Sequence, residues 1–347
     1  MSDVLIRAIG AWGHITLNRP RALNALSYPM CCAIDDALAN FATDPVIIGV
    51  LIDGAGERGF CAGGDIRALH DAARAGTPDD IAVFFAREYR LNARIAGFSK
   101  PYVALMDGIT MGGGVGLSAH GSHRVVTERT VLAMPEVGIG FIPDIGATFL
   151  LGRVADHLGL HVALTAMRLN AADALAIDLA DHHVPSTSLD HLRRDLFATT
   201  TQAAVDPVLR THATPPGDSP LLAQRPWIAE AYRSGLIAEI LYTLRRSGPE
   251  AAAAAAIIER QSPTSICLTL RALHNARAWN RLEPCLAQEY RVALRCTRAH
   301  DFIEGVRAAV VDKDRAPKWQ PAGFDTIDDA TIDAYFAPLG AAELHLD

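Results

Sequence analysis

The hydrophobic and polar positions divide the chain into short apolar runs separated by glycine- and proline-marked breaks. Residues 4–9 and 14–17 alternate or run apolar around Gly10 and Gly13, which predicts two short strands joined by a tight turn. The polar stretch NRPRALNALS ends that pair, and Ser27 with Pro29 then opens a helix. Met30, Ile34, Leu38 and Phe41 recur on one face of it, Ser27 is its expected N-cap, and Asp44 and Pro45 end it. Residues 46–52, VIIGVLI, are β-branched without alternation, as in a strand covered on both faces. A helix from Asp65 to about residue 74 follows, then a Gly76-Thr77-Pro78 loop and a second helix over residues 79–96.

Residues 101–106 predict the next strand, with shorter ones at 123–126 and 131–133. Further helices are expected at 147–155, 157–167 and 171–177, and a short strand at 181–184. The order strand, strand, helix recurs, which fits an α/β fold of stacked ββα units. From about residue 190 the pattern is almost entirely helical, so a core at 1–190 and an α-helical C-terminal region at 191–347 are expected. The alanine run at 251–256 reflects helix propensity alone.

Two glycine clusters change this picture from architecture to chemistry. Gly112, Gly113 and Gly114 stand directly before the apolar run 115–119, so they open a buried helix whose first amides lack intrahelical partners. Such amides, at the positive end of the helix dipole, can bind an anion or an oxyanion. The segment RGFCAGGD places Gly63 and Gly64 between a strand and a helix, where a second amide can point at the same oxygen.

With 347 residues, half of them hydrophobic, the chain can bury a sizeable core. The formal net charge of -7 argues against nucleic acid or an anionic membrane as the main partner. Six cysteines at 31, 32, 61, 267, 285 and 296 show neither zinc-ligand spacing nor a disulfide framework. Cys61 lies beside the glycine loop, but no base neighbours it in sequence, so it reads as a packing thiol. No apolar segment is long enough to cross a membrane, and the N-terminus reads as folded strand, so a cytoplasmic location is expected.

The motifs GFCAGGDI and GITMGGGVGLS resemble the enoyl-CoA hydratase/isomerase superfamily, the crotonase fold. FFAREYRLN, AMPEVGIGFIPDIG, SPTSICLTLR and HDFIEGVRAAVVDKDRAPKW extend the resemblance to its 3-hydroxyisobutyryl-CoA hydrolase branch, over roughly residues 15–320. The resemblance implies a crotonase-like spiral and hydrolysis of a short 3-hydroxyacyl-CoA thioester, with 3-hydroxyisobutyryl-CoA of valine breakdown the expected substrate. It implies no cofactor beyond the CoA of the substrate, no metal, and allows a homo-oligomer.

Carried over residue by residue, the resemblance makes Gly64 and Gly113 the oxyanion donors and Glu136 and Asp144 the catalytic carboxylates. It lays the CoA ester along Arg21, Ala22 and Leu23 and along Ala62, Gly63, Asp65 and Ile66. It puts Glu88 near the acyl end, able to accept from a substrate hydroxyl; from the residues alone Glu88 is an ordinary charge on a surface helix. Arg19 and Arg21, and in the tail Lys313, Arg315 and Lys318, are candidates for the CoA phosphates or else solvated loop cations. Hydratases of the superfamily carry a glutamate where this chain has Gly116, which disfavours hydration by two glutamates.

Glu136 and Asp144 each follow a proline in a glycine-punctuated loop, and Asp144 can also be read as an N-cap for the helix near Gly146. Glu136 can attack the thioester or deprotonate a water, and the sequence leaves both routes open. An isomerase using Glu136 as its single proton shuttle, and a non-catalytic binding protein, are the competing readings.

Overall fold

The computed structural model describes residues 2–346. In chain order it contains β1 (Val4–Ile9), β2 (Trp12–Leu17), α1 (Tyr28–Thr43), β3 (Gly49–Gly54), β4 (Gly59–Cys61), α2 (Ile66–Ala75) and α3 (Pro78–Ala96). There follow β5 (Tyr102–Met106), β6 (Ile109–Met111), α4 (Gly113–Ser118), β7 (His123–Val126), β8 (Val131–Ala133), α5 (Ala147–Gly152) and, after two short helices, β9 (His182–His183). Beyond β9 the regular structure is helical to Phe336.

The residues group into two compact units that are interleaved along the sequence. The first holds the chain up to Gly64, Arg90–Ala133 and Arg168–Pro220; the second holds Asp65–Tyr89, Met134–Met167 and everything from Leu221 onward. The helical stretch after residue 190 therefore starts in the first unit and passes into the second only at Leu221.

The first unit shows how the ββα repeat works. A six-stranded sheet has the order β1-β2-β3-β5-β7-β9, and a three-stranded sheet the order β4-β6-β8. The pairs β3–β4, β5–β6 and β7–β8 each give their first strand to the six-stranded sheet and their second to the three-stranded one, as in a spiral of ββα units, whereas β1 and β2 both join the six-stranded sheet. Among the described strands β1 and β2 pair antiparallel, with Val4 opposite Leu17 and Ile9 opposite Trp12, and every later strand pair is parallel; an isolated antiparallel bridge joins Leu132 to Leu169. Parallel strands need both faces covered, and here Trp12, Leu51, Val103, Leu105 and Val125 pack against Leu189, Leu192 and Leu196 of the helix Leu189–Ala198. Full burial of such side chains contributes roughly 1.5–3 kcal/mol each. The Trp12 indole N–H is satisfied by the Thr199 hydroxyl at 3.0 Å.

Three local expectations are corrected. Ser27 stands at the N-cap of α1 in an extended conformation, but its side chain makes no capping hydrogen bond. The strand expected at 46–52 begins only at Gly49, because Asp44 turns the chain, its carboxylate accepting from the Val46 N–H at 2.9 Å, and Val46 is left exposed. The helix expected at 147–155 stops at Gly152.

The second unit is helical. Asp65 caps α2 by accepting from the Ala68 N–H, and Gly76 ends it in the left-handed conformation. The helix Pro263–Trp279 lies against α5 and against the helix Leu282–Cys296. In the tail, Arg307 binds Glu304, Asp312 and Asp314, which folds the loop carrying Lys313 and Arg315. Among the described residues no helix is long and apolar enough to cross a membrane.

Candidate active site

In the first unit the two glycine clusters converge. The amide of Gly112 donates to Ala133 O of β8, and Gly112 at φ 47° turns the chain so that Gly113 opens α4. A Cβ placed on Gly63 would lie 3.2 Å from Met111 O and 3.6 Å from Gly113 N, and Gly63 has φ +106°, so only glycine suits this contact. Gly114 lets α4 settle on β4, since a Cβ there would lie 2.4 Å from Cys61 O. Among the described residues the Gly64 and Gly113 amides donate to no protein acceptor, while their neighbours Ala62, Leu26 and Gly112 are engaged. Two unspent amides on touching loops are what an oxyanion hole requires.

The residues expected along the CoA ester join the same loops. Ala62 N–H donates to Leu23 O and Leu26 N–H to Gly63 O, which ties the turn of Arg21, Ala22 and Leu23 to the glycine strand. Arg19 is used internally, its guanidinium donating to Ala25 O at 2.7 Å, whereas Arg21 is exposed. Cys61 is buried and its thiol donates to Asn24 O at 3.2 Å, a packing arrangement. Gly116 is buried within α4, so that helix presents no carboxylate.

The second unit collects the carboxylates. Glu88 on α3 is 2% exposed, Glu136 at the start of the 3₁₀ turn Glu136–Ile139 is 7% and Asp144 is 5%. The reading of Glu88 as a surface charge is therefore wrong: its face of α3 points inward with Phe84, Phe85 and Tyr89. Phe85 stacks on Phe141 with ring centroids 5.7 Å apart, and Phe141 meets Phe302, which walls the carboxyls with apolar surface. The Tyr89 hydroxyl donates to Asp144 Oδ2 at 2.6 Å. In contrast, Glu88 Oε1 and Glu136 Oε2 are buried and have no hydrogen-bond partner among the described residues. A buried polar atom left unpaired costs about 1–3 kcal/mol, so each is a place where a ligand or water would complete the bonding.

The Asp144 side chain does not cap α5. The helix starts after Gly146; Ala147 N–H donates to the Asp144 backbone carbonyl at 2.8 Å, while the side-chain cap is Glu289 of the helix Leu282–Cys296: Gly146 N–H donates to Oε2 at 2.6 Å, and Thr148 donates to Oε1 from its N–H at 3.0 Å and from its hydroxyl. Released from capping, the Asp144 side chain faces Tyr89. Sequence reasoning missed Glu289 and Tyr89. Glu289 stands 141 and 143 positions from the residues it holds, and no local pattern marks it.

Burial governs the electrostatics. It pushes the Glu136 carboxyl well above its usual range, helped by Asp144 and Glu88, and pushes Glu88 up with help from Asp144. Burial also raises Asp144 to about 7, while the Tyr89 hydrogen bond works against the rise. Glu289 is pushed up to about 8 by burial, opposed by the Thr148 and Gly146 donors. These groups hold their protons more tightly folded than unfolded, so the folded state binds more protons and stability falls as pH rises. The window runs from 3.8 to about 7 for Asp144 and from 4.5 to about 8 for Glu289. The denaturation midpoint is expected to drop between about pH 5 and about pH 8.5, with a shallower slope in Glu136→Gln. An equal slope in that variant would remove Glu136 from the buried cluster.

The tail cations Lys313, Arg315 and Lys318 are exposed and form no ion pair among the described residues. The partner that organises their loop, Arg307, was not singled out from the sequence.

Comparison with known proteins matches residues 12–336 to the family described as enoyl-CoA hydratase/isomerase. The 3-hydroxyisobutyryl-CoA hydrolase, mitochondrial, of Gallus gallus is 41% identical over 99% of this chain and 91% of its own length. The Homo sapiens protein of the same name is 40% identical over 99% of this chain and 90% of its own. Among solved structures, a carnitinyl-CoA dehydratase from Mycobacterium thermoresistibile superposes with a TM-score of 0.95 at 44% identity, covering 100% of this chain and 99% of that one. An enoyl-CoA hydratase from Rhodobacter sphaeroides 2.4.1 gives 0.90 at 38%, covering 99% and 100%. The names of the two relatives place them in mitochondria, so they lend no support to the cytoplasmic location expected from the sequence.

Proposed function

Since the chain belongs to the enoyl-CoA hydratase/isomerase family, we propose that its reaction is hydrolysis of the thioester of a short 3-hydroxyacyl-CoA, 3-hydroxyisobutyryl-CoA giving 3-hydroxyisobutyrate and free CoA. The observation that carries this reading is the set of three buried carboxyls, two with an unpaired oxygen, together with an α4 sequence that offers no glutamate at Gly116. The names of the two solved relatives point to hydration or dehydration. Two-glutamate chemistry needs a carboxylate that Gly116 cannot supply, which favours the activity named for the curated relatives.

In this reading the amides of Gly64 and Gly113 take the negative charge that develops on the thioester oxygen. Glu136 adds to the carbonyl carbon, or takes a proton from the water that does; in both routes the C–S bond breaks and the electrons leave with the CoA sulfur, which is protonated on release. In the first route a water then opens the Glu136 acyl anhydride and gives its proton to Asp144; in the second Glu136 passes the proton of the water on to Asp144, and in both that proton goes on to the departing thiolate. Water supplies the hydroxyl of the acid and the proton of the thiol, so no oxidant or reductant enters. Arg21, Lys313, Arg315 and Lys318 are the exposed cations offered to the phosphates of CoA.

Glu88 Oε1 is the acceptor assigned to the substrate 3-hydroxyl, because it is buried and unpaired. 3-Hydroxyisobutyryl-CoA should be favoured over isobutyryl-CoA in kcat/KM by about 10- to 100-fold, since the deoxy analogue leaves that acceptor stranded. Glu88→Ala should shrink the ratio toward one. Equal ratios in the two proteins would show that Glu88 does not read the hydroxyl.

A further inference from the structure

We infer that Tyr89 is a positioning residue for this reaction: its hydroxyl fixes Asp144 by one oxygen and favours the ionised form of that carboxyl, which accepts the proton of water. The inference rests on the hydrolase reading above and adds to it the reason why three crowded carboxyls do different work.

The geometry separates them. Asp144 Oδ2 receives the Tyr89 hydroxyl at 2.6 Å, whereas Glu88 Oε1 and Glu136 Oε2 receive nothing. A donated hydrogen bond favours the charged form of a carboxylate, and the low local dielectric strengthens it. The groups that act electrostatically with Asp144 are Glu88 and Tyr89 of α3, Glu136 of the loop, and Glu289 and Cys296 of the helix Leu282–Cys296. None of them is a cation, so the Tyr89 hydroxyl is the one side-chain group that works against the burial of the Asp144 charge.

Tyr89 is suited to this and to little else. Its ring is completely buried, in contact with Phe85 at 5.7 Å and Tyr290 at 6.2 Å between centroids, so the hydroxyl is aimed by packing. Burial and the neighbouring acids raise its own proton affinity well above that of free tyrosine, so it remains a donor throughout the working pH range. Behind Asp144, Glu289 holds Gly146 and Thr148, so the carboxyl is fixed from the backbone side as well. With Oδ2 occupied, the other oxygen of Asp144 is left to take a proton.

The test is Tyr89→Phe, which removes the hydroxyl and keeps the ring. Thiol release from 3-hydroxyisobutyryl-CoA is measured as kcat and KM from about pH 5.5 to about pH 9.5 in the wild type, Tyr89→Phe, Asp144→Asn and the double variant. The expected result is a KM close to wild type and a kcat lowered about tenfold or more at neutral pH. The rising limb of the pH profile should move up by about one unit, so that the loss narrows in alkali. In the Asp144→Asn background the Tyr89 substitution should cost nothing more.

A limb that stays in place in a folded Tyr89→Phe enzyme, or an equal loss in the Asp144→Asn background, would overturn the inference and leave the hydrolase reading standing. A wild type that releases no thiol from any 3-hydroxyacyl-CoA would overturn both.

Discussion

Glu136→Gln is expected to lower kcat by about a thousandfold or more while leaving the affinity for the CoA ester within a few-fold of wild type. The exchange keeps the volume and most of the polarity of a side chain that is 7% exposed, so the pocket should not collapse. What it removes is the oxygen that can add to the thioester or take a proton from water. Glutamine also cannot ionise, so the variant should be at least as stable as wild type in mild alkali, where the native carboxyl is forced to lose its proton against the cost of burial. Single-turnover thiol release beside a binding titration measures both halves. Turnover near wild type would take Glu136 out of the mechanism.

Gly113→Pro tests the other half of the chemistry. Proline is well suited to the first position of a helix, and Gly113 is the first residue of α4. The substitution deletes one N–H and adds a ring at a buried position, so folding is checked by circular dichroism and thermal melting. In the folded variant kcat should fall by roughly 100- to 1,000-fold, the usual cost of losing one oxyanion donor. A folded variant with wild-type turnover would place the donor elsewhere.

The local parts of this structure were legible in the sequence. β7 and β8 lie where the apolar runs put them, and the glycine clusters stand at the starts of helices or strand ends because positive φ and close backbone approach leave few other residues possible. Glu136 and Asp144 were singled out through the resemblance carried by AMPEVGIGFIPDIG, since their proline-marked loop alone also fits a turn glutamate and an N-cap aspartate. Long-range chemistry was not legible. Nothing near Gly146 announces that Glu289, 143 positions away, supplies the cap that Asp144 was suited to give. Tyr89 sits inside a motif that was noticed for Glu88, and its own role depends on a partner 55 positions on. On residue pattern alone Glu88 resembled a surface charge, since helical spacing shows which positions share a face but not which face is covered. Val46 shows the same limit at short range: a β-branched run predicts strand, but the Asp44 turn delays pairing until Gly49.

The most direct test of the account is a stoichiometric one. Purified enzyme is given 3-hydroxyisobutyryl-CoA; free thiol is followed with a thiol-reactive chromophore and the acyl products are identified by mass. The account predicts one free CoA for each molecule of 3-hydroxyisobutyrate, with no unsaturated CoA ester formed, and neither product from Glu136→Gln above the buffer rate. Conversion of the substrate into an unsaturated CoA ester with the thioester intact would contradict it and return the chain to the hydratase chemistry named for its solved relatives.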